Sequence, residues 1–370
     1  MTADTDTERE MTETADIRIE RRGALGVVVL DRQRALNALT REMVRALSRA
    51  LAAWREDDGI AAVLVRAVPG RAFCAGGDIR RVIETRDREG IEAACGFFRD
   101  EYRMNWRIKN FPKPYIALCD GITMGGGVGI SIHGSHRIVT ENTLFAMPET
   151  GIGFFPDVGG TWFLPRLPGE LGMYLGLTGV RAKAADCLYA GIATHYLPAE
   201  RLPLLEEELA AAPAGRMEAV LAGLLADLSE TPEPVPAPVE EERATIDALF
   251  AGEELLAILD RLEADGSGFG ARQLALLGEK SPFSLHVTCA QLRRGAALTD
   301  FAQALALEYR IVHRFLEGRE FAEGVRALLV DKDRNPKWTW PDPRAVPREA
   351  VEACFAPLPG GDLLFDWNDV

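Results

Sequence analysis

The chain has 370 residues, 47% hydrophobic and 26% charged, proportions that describe an ordinary globular protein of two domains or one large domain with an appendage. A formal net charge of -14 argues against nucleic acid as a partner, whose phosphates would be repelled; a small anionic ligand needs only a local basic or amide-rich pocket and stays open. There is no run of about eighteen apolar residues, which excludes a membrane span.

Residues 1–16, "MTADTDTEREMTETAD", are acidic and Thr-rich, the reverse of a signal or mitochondrial transit peptide, and are expected to form a disordered tail. From Ile17 to about Leu197, β-branched runs alternate with helical patterns and Gly-rich turns. "ALGVVVL" (24–30) predicts a buried strand. "TREMVRALSRALAAWRED" (40–57) places apolar residues at helical spacing, with Thr40 as N-cap and Glu42 in the first turn. "IAAVLVRAV" (60–68) is again a strand, and "KPYIALCDG", "SHRIVT" and "TLFAMP" add further short ones. The pattern argues for an α/β layered core over 17–228. "SETPEPVPAPVEEER" (229–243) reads as a Pro-rich linker or exposed loop. Residues 244–370 carry amphipathic helical patterns with few strand signals, so a helical C-terminal region is expected. The six cysteines are scattered, without a CxxC pair or zinc spacing, and read as buried hydrophobes in a reducing cytoplasm.

There is no GxSxG elbow, Walker A sequence, HExxH or well-placed GxGxxG, which argues against a serine hydrolase, kinase, zincin or simple dinucleotide enzyme. Three loops remain. "GRAFCAGGDIR" (70–80) follows the strand at 60–68, and "CDGITMGGGVGIS" (119–131) follows "PYIAL". The third, "FAMPETGIGFFPDVGGTWFLPRL" (145–167), holds Glu149 and Asp157 in a largely apolar run. Glycine lets backbone amides approach a ligand closely, and two such turns aimed at one point make an oxyanion hole. Taken singly, each loop is equally readable as a tight turn, and Asp157 as the cap of a helix opening at "GGTWF". Histidines 133, 136 and 195 pair with no nucleophile and read as core or surface residues.

In this order and spacing, "AFCAGGDI", "GITMGGGVGIS" and "FAMPETGIGFFPDVGG" resemble the crotonase (enoyl-CoA hydratase/isomerase) superfamily, and within it the 3-hydroxyisobutyryl-CoA hydrolase branch. The similarity runs from about Ile17 to Trp338; "SPFSLHVTCAQLRRG" (281–295) and "EFAEGVRALLVDKDRNPKW" (320–338) resemble that branch's C-terminal signature. The resemblance implies an α/β spiral of ββα units with a mainly helical C-terminal part. It further implies an acyl-CoA substrate and no cofactor or metal beyond the CoA that the substrate carries; the superfamily's trimer-based homo-oligomer and a form in which the helical C-terminus covers that surface both stay open. A thioester oxygen would be held by the amides of Gly77 and Gly126, with substrate contacts from Ala75, Glu101 and Arg34. For Glu101 a surface helix acid is the other reading. "DRQRALNAL" (31–39) resembles the family's CoA-approach loop, in which Arg32 and Arg34 either meet phosphates or face solvent.

One departure from the hydratase pattern is informative. Hydration needs two placed carboxylates, and family hydratases carry the first in a GGGxE pattern. This chain reads "GGGVG", with Gly129 in that place. The second glutamate is retained as Glu149, and a new acid, Asp157, follows eight positions later. That combination matches the hydrolase branch and implies thioester hydrolysis. Glu149 would either attack the acyl carbon or activate water, and Asp157 would orient the reactants and assist proton transfer. Left open are an enoyl-CoA isomerase or hydratase using Glu149, and a non-catalytic acyl-CoA-binding protein.

Overall fold

An antiparallel hairpin opens the fold: β1 (Ile17–Arg22) pairs with β2 (Leu25–Leu30). The computed structural model describes residues 15–368. The expected tail therefore lies almost wholly outside the described residues, and Asp16 at its end is ion-paired with Arg32 and Arg34. Every residue of β2 is buried. Val28 and Leu30 point into one apolar cluster and Leu25, Val27 and Val29 into another, so the strand is hydrophobic on both faces rather than alternating. Helix α1 (Arg41–Glu56) begins where expected, with the Thr40 hydroxyl accepting the Met43 N–H.

Three strand pairs then follow. They are β3 (Ala62–Ala67) with β4 (Ala72–Cys74), β5 (Tyr115–Cys119) with β6 (Ile122–Met124), and β7 (His136–Val139) with β8 (Leu144–Ala146). The first two pairs are separated by α2 (Ile79–Glu89) and α3 (Ile91–Lys109), and the last two by the single turn α4 (Gly126–Gly129). The first strand of each pair joins a six-stranded sheet of order β1-β2-β3-β5-β7-β9, where β9 is His195–Tyr196. The second strand joins a separate sheet of order β4-β6-β8, parallel throughout. Each ββα unit thus adds one strand to each sheet, which is the expected spiral. The three loops singled out in the sequence leave the carboxyl ends of β4, β6 and β8 side by side, the edge where parallel α/β sheets bind ligands.

Helices Leu202–Ala211 and Met217–Leu228 cover the outer face of the large sheet, laying Leu205, Leu209, Leu221 and Leu225 on Val27, Leu64, Ile116 and Ile138. Within 229–243 there is one short helix, Pro238–Glu241, and the Val239 N–H donates to Asp186 Oδ1. The region beyond is helical, as expected. Its helices Pro282–Ala297, Phe301–Glu317 and Glu320–Val325 close over the 149–163 segment, α2 and α3. All six cysteines are buried and free. Among the described residues no helix is long and apolar enough to cross a membrane.

Candidate active site

The loops after β4 and β6 turn through conformations reserved for glycine, with φ of 124° at Gly76 and 47° at Gly125. The turns leave the N–H groups of Gly77 and Gly126 with no protein acceptor among the described residues. A Cβ placed on Gly126 would stand 3.2 Å from the Gly77 nitrogen and 2.6 Å from Glu101 Oε1. The two amides and the Glu101 carboxyl therefore border one small space. The 31–39 segment holds the first loop in place: Leu39 N–H donates to Gly76 O at 2.8 Å, Asp78 N–H to Leu39 O at 2.8 Å, and Ala75 N–H to Leu36 O at 3.0 Å. Arg32 braces the same junction, bonded to Asp78, Ala38 and Asp16, and Arg34 extends into solvent beside Asp16.

Glu149 starts a 3-10 turn (Glu149–Ile152) three residues beyond β8. The residue is 5% exposed, and Oε2 has no hydrogen-bond partner. Glu101 and Asp157 are equally buried, and Tyr102 donates its phenol to Asp157 Oδ2 at 2.8 Å. Burial lifts the proton affinity of Glu101 well above the carboxylate range, with Asp157, Glu308 and Glu149 adding to it. Burial, then Asp157, does the same to Glu149. Asp157 rises to about 7 through burial, against the opposing Tyr102 hydrogen bond, and Glu308 to about 8 through burial and Asp157. No cation contributes to any of these shifts, so the four acids hold protons near neutrality as one coupled set.

Asp157 does not cap the helix at "GGTWF". Its side chain turns to Tyr102, and Glu308 does the capping, accepting the Gly159 and Thr161 N–H groups at 2.8 Å each. Between them Val158 takes φ of 49°, an uncommon conformation for a β-branched residue and one that stores about 1–3 kcal/mol of strain. Its carbonyl is fixed by His133 Nε2–H at 2.7 Å; burial pushes that imidazole down to about 3, so it is the neutral tautomer that donates. Gln291 adds hydrogen bonds to Pro156 O and Thr161 Oγ1, both at 2.7 Å. The C-terminal helices thus hold the strained turn that aims Asp157. Tyr102, Asn105, Gln291 and Glu308 escaped the sequence reading. The signals were there: Asn105 lies one helical turn from Glu101, and Glu308 falls on the buried stripe with Ala304, Leu305 and Val312.

The vacant hydratase position is not empty space. A Cβ on Gly129 would meet Asn105 Nδ2 at 2.8 Å and Val158 Cβ at 2.8 Å. On the other side of the amide pair, Phe97 (3.0 Å from where a Gly77 Cβ would stand) borders a cleft of about 600 Å³. Leu39 and Val82 line its apolar part, and Arg80, Arg81 and Arg88 line the rest, ion-paired with Glu84, Glu42 and Glu89.

The buried acids predict how stability follows pH. A carboxyl whose folded pKa is raised keeps its proton in the native state after the unfolded chain has lost it, so its stabilisation is complete below the unfolded pKa and lost as pH rises through the folded one. For Glu308 that loss runs upward from the ordinary carboxylate range and is complete near pH 8, and Glu101 and Glu149 extend it upward. Above pH 7 the histidines, all lowered from 6.5, no longer oppose it. The thermal midpoint should therefore fall steadily between about pH 7 and 8.5. A flat or rising midpoint over that interval would contradict the shared-proton description.

The Enoyl-CoA hydratase/isomerase family model matches residues 25–355. The chain is 44% identical to the rat (Rattus norvegicus) protein named 3-hydroxyisobutyryl-CoA hydrolase, mitochondrial, over 96% of this chain and 92% of the relative. Among solved structures, a carnitinyl-CoA dehydratase from Mycobacterium thermoresistibile superposes with a TM-score of 0.88 at 37% identity, covering 95% of this chain and 99% of that one. An enoyl-CoA hydratase from Rhodobacter sphaeroides 2.4.1 superposes at 0.85 with 40% identity, covering 95% and 100%. The chain belongs to the crotonase, or enoyl-CoA hydratase/isomerase, family.

Proposed function

We propose that this protein hydrolyses the thioester of 3-hydroxyisobutyryl-CoA, an intermediate of valine breakdown, releasing 3-hydroxyisobutyrate and CoA. One observation carries the reading: the position that would hold a hydratase's first carboxylate is Gly129, where Asn105 and Val158 leave no room for a side chain, while Glu149 Oε1 stands 3.1 Å from where a Gly125 Cβ would be, next to the free Gly126 amide, and Asp157 opposes its ionisation. The 44%-identical rat relative bears the matching name. The thioester oxygen accepts from Gly77 and Gly126 N–H, which stabilise the negative charge that develops when the acyl carbon is attacked. Glu149, once it has given up its proton, either forms a bond to that carbon, giving a mixed anhydride that water then opens, or takes a proton from the attacking water. Asp157, poised near neutrality, passes the proton to the departing thiolate. The chemistry needs no metal or redox group, and CoA enters as part of the substrate, its tail in the cleft between Phe97 and the α2 arginines. A trimer-based homo-oligomer and a cytoplasmic location belong to the same proposal; the buried free thiols fit any reducing compartment, and the rat relative's name places that protein in mitochondria.

The names of the two solved relatives favour a second reading, hydration or dehydration. A thiol-release assay over a panel of short acyl-CoAs separates them: the hydrolase reading expects 3-hydroxyisobutyryl-CoA to be the preferred thioester, and turnover of enoyl-CoA without free thiol would sink it. Gly129→Glu sharpens the contrast. Its carboxyl stem would overlap Asn105 and Val158 and displace Asp157, so thiol release should fall about 10²-fold with no hydration gained. A gain of hydration would favour the second reading.

A further inference from the structure

Asn105 is fully buried on α3, and neither its Nδ2 nor its Oδ1 has a hydrogen-bond partner among the described residues. An unpaired buried amide costs about 1–3 kcal/mol per group, so a side chain left this way is poised for a ligand rather than for the fold. Its place is specific. Along α4, Gly126 presents the oxyanion amide opposite Glu101, and one turn further Gly129 lies opposite Asn105, 2.8 Å from where a Cβ would stand. The three-residue step from Gly126 to Gly129 advances about 4.5 Å along the helix axis. The hydroxyl oxygen of a 3-hydroxyacyl thioester lies about 3–4 Å from its acyl carbon, a span of three single bonds of about 1.5 Å. An acyl group anchored by Gly126 and Gly77 therefore brings its β-substituent to Asn105. A side chain at Gly129 would collide with the Asn105 amide, and glycine there leaves its Nδ2 unobstructed on that side. A hydroxyl can donate and accept at once, and a carboxamide offers both complements.

We propose that Asn105 reads the hydroxyl on the substrate's β-carbon, donating from Nδ2 and accepting at Oδ1, and so selects 3-hydroxyacyl over unsubstituted acyl thioesters; this rests on the hydrolase reading above. A site built to pair a hydroxyl rejects the analogue without it, because the polar groups are then left unpaired. The test compares kcat/KM for thiol release from 3-hydroxyisobutyryl-CoA and isobutyryl-CoA in the wild type, Asn105→Leu and the smaller Asn105→Ala. The wild type should favour the hydroxy substrate by about 10²-fold or more. Either variant should bring the two within about tenfold, chiefly by losing rate on the hydroxy substrate, and Asn105→Leu should melt no lower than the wild type, since an isosteric apolar group removes the unpaired amide. A folded variant that keeps the wild-type ratio overturns the assignment, as does a wild type that does not discriminate. A wild type that releases no thiol from either ester overturns the hydrolase reading and the assignment with it.

Discussion

Glu149→Gln is expected to lower kcat for thiol release by about 10²–10⁴-fold while leaving the protein folded and at least as resistant to heat. Glutamine keeps the shape of the side chain but neither attacks a carbonyl carbon nor takes a proton from water. The stability half of the expectation follows from the surroundings: Glu149 is buried, its Oε2 is unpartnered, and Asp157 opposes its ionisation. Removing the ionisable group removes that conflict. A loss under tenfold in kcat, measured beside a wild-type-like melting curve, would exclude both routes drawn for Glu149.

Gly126→Ala tests the other half of the chemistry and is expected to lower kcat/KM by about 10²–10³-fold, the range for loss of one oxyanion donor. The added methyl would stand 3.2 Å from the Gly77 nitrogen and 2.6 Å from Glu101 Oε1. It would crowd the space that the two amides and the buried Glu101 carboxyl border. The backbone at Gly126 itself needs no positive φ, so the effect arises from occupancy rather than strain. If the variant binds substrate and turns it over at the wild-type rate, the thioester oxygen sits elsewhere.

Much of this arrangement was legible along the chain because it is written in local terms. The Thr40 cap, the fully apolar β2 and the two glycine turns each depend on residues within a few positions. So does the pair Glu149 and Asp157, both carried by one loop. What was hidden depends on distant partners. The alternative reading of Asp157 as a helix cap fails because Glu308, 149 positions from Gly159, supplies the acceptor. Tyr102 and Asn105 belong to α3, whose pattern reads as an ordinary amphipathic helix until the loop after β8 is folded against it. The same holds for the phosphate-approach reading of Arg32. Its guanidinium is taken up by Asp78, Ala38 and Asp16, contacts that no local pattern foretells. The C-terminal segments "SPFSLHVTCAQLRRG" and "EFAEGVRALLVDKDRNPKW" now have a physical task. Ser281 N–H bonds Thr150 O, Gln291 bonds Pro156 O, and the Ser281 hydroxyl bonds Glu320, so the extension braces the loop that bears both acids.

Incubating the purified protein with 3-hydroxyisobutyryl-CoA separates hydrolysis from hydratase chemistry in one reaction, since a hydratase run in reverse would dehydrate the same molecule. Free thiol and the mass of the acyl product are followed together. With Gly129 in place of the first carboxylate, CoA and 3-hydroxyisobutyrate should form in equal amounts with no enoyl-CoA. Enoyl-CoA accumulating without free CoA would contradict the hydrolase reading.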